Sequence, residues 1–293
     1  MPNLKEVRTR IESVNSTKQI TSAMKMVSAS KLRKAQNAIT TMRPYAAKLR
    51  ELMQNLTGSL SNTNQDKYTK VRPEENILII PVTSNRGLCG AFNTNIIRYA
   101  TRLVNEQYSS QLAEGKVSFY CIGKKSEEFF RSRKYSIIGS EVAIFDHLNF
   151  NTVTPIAEKL MLIFEEEKFD KIIFVYNQFR NAGNQVLTEE QFLPIELPEA
   201  NEDEQFLGTE YIFEPGKQVI IESLIPRILK MQVYKMLLDS YAAEHGARMI
   251  AMHKATDNAT EMLKELKLSY NKARQAAITK EILEIVGGAN ALG

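Results

Sequence analysis

The sequence predicts an α/β chain with long terminal helices, in which the N- and C-terminal segments pair as an antiparallel two-helix coiled coil around an inserted α/β domain. Three observations predict it. Apolar residues recur at alternating four- and three-residue spacing through the first 60 residues, a second helical pattern fills residues 217–293, and short apolar runs alternate with amphipathic segments between them.

The N-terminal element is the clearest. Leu32, Ala35, Ile39, Met42, Ala46, Leu49, Met53, Leu56 and Leu60 follow a coiled-coil seam, and Leu4, Val7, Ile11 and Val14 share its spacing. Ile20, Met24 and Val27 continue the apolar pattern only after a register slip. One helix over about residues 3–58 is expected, on the order of 80 Å long at the α-helical rise, with Pro44 bending it or removing one backbone bond.

The C-terminal element repeats the pattern. Apolar residues run through Ile221, Leu224, Ile228, Met231, Tyr234, Leu238 and Tyr241, then Met262, Leu266 and Tyr270, then Ile278, Ile282 and Ile285. Pro226 stands near its start, and Gly287 and Gly288 are expected to cap its end. Two such helices most simply bury their stripes against each other.

The middle changes period. Asn76–Thr83, Lys116–Ile122 and Asp170–Tyr176 are apolar runs of strand length, and Gln185–Glu196 alternates. Helical patterns follow the first run to about Tyr108, the second at KKSEEFFRSR, and occupy residues 152–168. Strands alternating with helices imply a largely parallel, Rossmann-like sheet covered on both faces. The expected domains are a helix at 1–60, an α/β domain at 74–196, an acidic linker at 197–216 and a helix at 217–293.

Composition narrows the function classes. The chain has 293 residues, 43% of them hydrophobic, with two cysteines, three histidines and no tryptophan. That length supports a real core and excludes a disulfide-stapled miniature fold. The first residues lack the apolar block of a signal peptide, and no run is long enough to span a membrane, so a soluble cytoplasmic chain is expected. The net charge of +4 divides unevenly: residues 1–60 carry +8, residues 61–216 carry −7 and residues 217–293 carry +3. A basic arm suits nucleic acid or an acidic protein surface, and charge alone does not choose.

Chemical motifs are sparse. Arg86-Gly87-Leu88-Cys89-Gly90 lies between a strand and a helix, where α/β folds hold phosphate, but it is neither G-x-G-x-x-G nor a P-loop. A structural turn is favoured over a ligand loop, and Cys89 reads as a buried small residue because no histidine stands near it in sequence. His245 and His253, eight residues apart, do not have metal-ligand spacing on a helix. Glu165, Glu166 and Glu167 read as the wet face of a helix. No catalytic residue, cofactor site or metal site is expected. A dinucleotide-binding α/β protein and a nucleic-acid-binding coiled coil remain as alternatives. Met24 and Met26, followed by Lys31, Leu32, Arg33 and Lys34, suit either a coiled-coil core with a solvated basic face or an apolar and cationic surface that slides past changing partners.

Three blocks in order resemble one family. Residues 4–35 (LKEVRTRIESVNSTKQITSAMKMVSASKLRKA), 83–93 (TSNRGLCGAFN) and 247–292 (ARMIAMHKATDNATEMLKELKLSYNKARQAAITKEILEIVGGANAL) are similar to the gamma subunit of F-type ATP synthases. The resemblance implies a non-catalytic rotor shaft inside a ring of three alpha and three beta subunits, standing on epsilon and the c-subunit ring. It implies no cofactor and no nucleic acid, membrane contact only through the membrane sector, and a place on the cytoplasmic face of a bacterial inner membrane. The absence of a paired-cysteine insert and of a targeting peptide favours the bacterial type.

The resemblance also assigns residues. Met24 and Lys25 match positions facing the acidic lower lobe of beta, and Arg248, Gln275 and Thr279, with Glu281 and Glu284 nearby, match groups that meet beta loops. Ile285, Val286 and the tail through Leu292 match an apolar bearing at the top of the ring. Tyr211 and Glu214 match the base, near epsilon and the c ring.

Overall fold

The computed structural model describes residues 4–57, 67–195 and 217–292. The chain divides into two compact units. One is built from residues 1–29 and 248–293, and the other from Ser30–Ala247. Two helices contribute to both: α1 (Leu4–Thr57) and α6 (Lys217–Leu292).

The larger unit is built on a five-stranded sheet of β1 (Ile77–Pro81), β2 (Val117–Ile122), β3 (Ile137–Glu141), β4 (Lys171–Asn181) and β5 (Asn184–Leu193), ordered β3-β2-β1-β4-β5. The first four pair in parallel, and β5 returns antiparallel to β4 as a hairpin. The crossovers are α2 (Phe92–Gln107) with the short α3 (Ser109–Ala113), then α4 (Lys124–Ser132), then α5 (Phe150–Glu165). Asn149 caps α5: its side chain accepts from Thr152 N, while Thr152 Oγ1 accepts from Asn149 N.

Strand periodicity sorts the core into two layers. Leu78, Ile80, Tyr120, Phe174 and Tyr176 point to the face covered by α5 and by Ile225–Leu237 of α6. Ile77, Ile79, Phe119, Cys121, Ile173 and Val175 point to the opposite face, against Ile96 and Val104 of α2 and Phe130 of α4. β1, β2 and the first part of β4 are buried on both faces, which is why these three strands read as continuous apolar runs.

Several expectations change. The sequence pattern missed β3, and the alternating segment starts and ends earlier than Gln185–Glu196. The single helices expected across Pro44 and Pro226 are present, α1 and α6 each running through its proline. Gly287 and Gly288 do not cap α6, which runs on to Leu292. An exposed glycine costs a helix only about 1 kcal/mol, and no proline follows to stop it.

The register slip is also absent. Val7, Thr21, Ser28, Ala35, Met42 and Leu49 are all buried, with Val14 half-buried between the first two, so a single heptad ladder runs from Val7 to Leu49 of α1. Ile20 and Val27, which the apolar pattern placed in the seam, are 60% and 57% exposed. Continuity with the apolar turns on either side sets the rotation of the helix and takes polar Thr21 and Ser28 inside. In α6 the buried residues Ile225, Leu229, Val233, Met236 and Leu237 stand beside the expected stripe, because this stretch packs on the sheet and α5.

Candidate functional site

The crevice where an α/β sheet ordinarily binds ligands lies at the carboxyl ends of β1 and β4, where the crossovers reverse direction. Here Asn177 of β4 reaches across to the start of α2, its Nδ2 donating to the Phe92 carbonyl at 3.3 Å. Residues after β1 satisfy the first backbone donors of α4: Lys124 N–H donates to Asn85 Oδ1 at 3.0 Å, Lys125 N–H to the Ser84 carbonyl at 3.2 Å and Ser126 N–H to Thr83 Oγ1 at 2.9 Å. Those are the groups that a phosphate at a helix N-terminus would need. The loop itself is tied down as well. Asn93 accepts from Ser84 N–H at 2.9 Å and donates to Ser84 Oγ at 2.8 Å and to Cys89 Sγ at 3.3 Å. Ala243 of α6 is buried in the core layer next to Phe92, and a Cβ on Gly246 would lie 3.2 Å from Ala182 Cα, so helix and β4–β5 hairpin are in close contact.

Reactive groups are placed as structural ones. Burial pushes the Cys121 thiol up to about 12, far from a thiolate nucleophile. Cys89 is buried beside Ser84 and Asn93. His245 is buried edge-on to Tyr241 with ring centroids 4.4 Å apart, while exposed His253 lies 3.2 Å from Asp257. Two of the three consecutive glutamates hold the segment that enters the sheet: Tyr68 Oη donates to Glu165, and Glu167 pairs with Arg72 at 3.3 Å. Arg72 also stacks on Phe164, 4.9 Å from the ring centre. Among the described residues no group of three or more His, Cys, Asp or Glu could hold a metal ion.

The terminal unit differs: its seam takes in polar Thr21, Ser28 and Arg248 beside apolar Val7, Met252, Ala259 and Leu263, while several large apolar residues face outward. Met24 and Lys25 are half-buried beside the seam, and Arg248 is buried. Ile20, Met26 and Val27 face outward on α1, a feature that sequence reasoning missed although Ile20 and Val27 are one heptad apart. On α6, Gln275 and Thr279 are exposed on one face, joined by Thr279 Oγ1 donating to the Gln275 carbonyl at 3.0 Å. Glu281 and Glu284 are exposed, the latter 3.6 Å from Lys280. Ile278, Ile282, Leu283, Ile285 and Val286 are all exposed, with Ile285 at 71%. The helical backbone continues to Leu292, and Tyr211 and Glu214 lie outside the described residues.

An exposed helix end carrying this many large apolar residues suits a partner's surface. A family model described as ATP synthase matches residues 3–292. The ATP synthase gamma chain of Christiangramia forsetii is 54% identical over 292 residues, covering all of this chain and 99% of its own. The chain belongs to the ATP synthase gamma chain family. The gamma chain of Cytophaga hutchinsonii is 52% identical over 294 residues with the same coverage. The central stalk and c-ring structure of Tetrahymena thermophila mitochondrial ATP synthase aligns with a TM-score of 0.58 at 25% identity, over 80% of this chain and 99% of that one. A Euglena gracilis mitochondrial ATP synthase structure aligns at 0.71 with 23% identity over 99% and 94% of the two chains, a likeness of fold. No helix among the described residues is long and apolar enough to cross a membrane.

Proposed function

We propose that the chain is the central rotor subunit of a bacterial F-type ATP synthase, coupling proton flow through the membrane sector to the conformational cycle of the catalytic beta subunits. Full-length identity above half to bacterial gamma chains carries this reading. The partners are three alpha and three beta subunits, epsilon and the c-subunit ring, and the chain attaches peripherally to the cytoplasmic face of the membrane through them. The chain itself breaks no bond. Its contribution is mechanical allostery: one asymmetric element favours a different conformation in each of three otherwise equivalent sites as it turns.

Individual residues receive roles within this proposal. Met24 and Lys25 face the acidic lower lobe of beta, and Arg248, Gln275, Thr279, Glu281 and Glu284 meet beta loops. Ile285, Val286 and Leu292 form the apical bearing, for which the exposed apolar end of α6 offers suitable chemistry. Tyr211 and Glu214 belong to the base near epsilon and the c ring. A dinucleotide-binding function is not favoured, because the first backbone donors of α4 are taken by Asn85, Ser84 and Thr83 and Asn177 bonds the start of α2.

Reconstitution with alpha, beta and the membrane sector tests the proposal. Truncation before Ile278 should lower ATP-driven proton pumping more than ATP hydrolysis, while nucleotide binding to beta persists. ATP hydrolysis by the isolated chain, or an equal loss of pumping and hydrolysis, would count against it.

A further inference from the structure

The heptad ladder of α1 contains an anomaly. Val7 and Val14 are followed one heptad later by Thr21, which has the shape of valine with a hydroxyl in place of one methyl, and then by Ser28. Thr21 and Ser28 are buried to 8% and 2% exposure, although apolar Ile20 and Val27 stand one residue away, outside. The Ser28 hydroxyl turns back to the Met24 carbonyl at 2.8 Å. Thr21 reaches across instead: its Oγ1 lies 2.8 Å from Thr256 Oγ1 on α6. Each hydroxyl also has a carbonyl on its own helix, Lys18 at 3.0 Å from Thr21 and Met252 at 2.8 Å from Thr256. Thr21 donates to its own helix and accepts from Thr256, whose single proton lies within reach of both the Met252 carbonyl and Thr21 Oγ1, so the cross-helix bond is the one that depends on alignment.

We infer that the Thr21–Thr256 hydroxyl pair sets the axial register of α1 against α6 in the terminal unit. With valine in place of Thr21, the ladder would carry valine in three successive layers, at positions 7, 14 and 21, which a shift of one heptad superimposes on one another. The hydroxyl breaks that degeneracy. A shift in one direction sets Thr256 against Val14 and loses the cross-helix bond, leaving only the Met252 carbonyl within its own helix, and in the other sets it against Ser28, which lacks the methyl that fills the layer. A polar group in a coiled-coil seam is known to select register at some cost in stability, and here the neighbours Met252, Ala259 and Leu263 supply the apolar remainder of the seam. This inference stands whether or not the rotor reading does.

The test uses the full chain carrying spin labels at Ser16→Cys and Glu261→Cys, both exposed positions, with Cys89 and Cys121 buried and silent. Pulsed electron–electron distance measurements should give one narrow distribution for the parent chain and for Thr21→Ser/Thr256→Ser, which keeps both hydroxyls. Thr21→Val/Thr256→Val should add a second population arising from an axial displacement of about 10 Å, one heptad at the helical rise, without lowering the thermal midpoint. If that double variant does not fold, Thr256→Val alone is read with the same labels and the same expectation. A single, unshifted distribution in the valine variant would overturn the inference.

Discussion

The carbonyl oxygen of Thr83 occupies the place that a side chain on residue 123 would need: a Cβ built on Gly123 would lie 2.0 Å from it. Gly123 also has φ +95°, a region that residues with a Cβ rarely enter. It joins β2 to α4, and the approach it permits lets Thr83 Oγ1 reach both Ser126 N–H and Ser126 Oγ at 2.9 Å.

Gly123→Ala should therefore destabilise the α/β unit by at least about 2 kcal/mol, combining backbone strain with overpacking. Urea unfolding monitored by circular dichroism measures it. A midpoint equal to that of the parent chain would show that the strand–helix junction relaxes without cost.

Asp239 on α6 predicts a pH dependence. Burial pushes its carboxyl up to about 6, with Lys235 on α6 and Arg43 on α1 opposing the shift and Glu190 on β5 adding to it. A folded-state value above the unfolded one means that the folded chain prefers the protonated form. The associated stability is fully present below about 3.8 and is lost as pH rises through about 6. Asp239→Asn should then raise stability at pH 8 by up to about 3 kcal/mol and flatten the slope between pH 4 and 6. Chemical denaturation across that range checks the sign, and a variant less stable than the parent chain at pH 8 would contradict it.

How legible these features were depends on whether a local pattern encodes them. The buried strands β1, β2 and β4 stood out because burial on both faces leaves an unbroken apolar run. Edge strand β3 did not, because its sequence IIGSE includes a glycine whose Cβ would lie 2.5 Å from the Tyr120 ring, a demand made by a neighbouring strand. In α1 the apolar spacing through Ile20, Met24 and Val27 pointed to the wrong face. Which residues enter the seam was decided by turns far along the helix, from Val7 to Leu49. The occupied helix start and its tied-down loop needed Asn85, Thr83 and Asn93 in three dimensions. The roles assigned to Gln275, Thr279 and Ile285 came from the resemblance, since an exposed helix end looks the same in sequence as a buried one.

The occupied helix start predicts a negative binding result. Calorimetric titration of the full chain with NAD, NADP or ATP should show no stoichiometric binding. Thr83→Val removes the hydroxyl that accepts from Ser126 N–H and donates to Ser126 Oγ, leaving the buried Ser126 N–H without its acceptor, so it should cost about 1–3 kcal/mol of stability without creating affinity for any of the three. Stoichiometric binding to the parent chain would reopen the dinucleotide reading.

The end of α6 predicts a separation between folding and assembly. Ile285 and Val286 are 71% and 50% exposed, and substitutions at such positions usually change stability by no more than about 0.5 kcal/mol. Ile285→Ser/Val286→Ser should leave the thermal midpoint of the isolated chain where it is. In a reconstituted complex the same pair should weaken ATP-driven proton pumping by reducing apolar contact between the shaft and its bearing, worth about 25 cal/mol for each Å² of apolar surface that remains in water. Comparison with Leu229→Ala distinguishes the two effects. Leu229 is fully buried against the sheet, so its loss should cost about 2–5 kcal/mol in the isolated chain. If the serine pair lowered the thermal midpoint as much as Leu229→Ala, the end of α6 would be part of the chain's own core and not a surface kept for a partner.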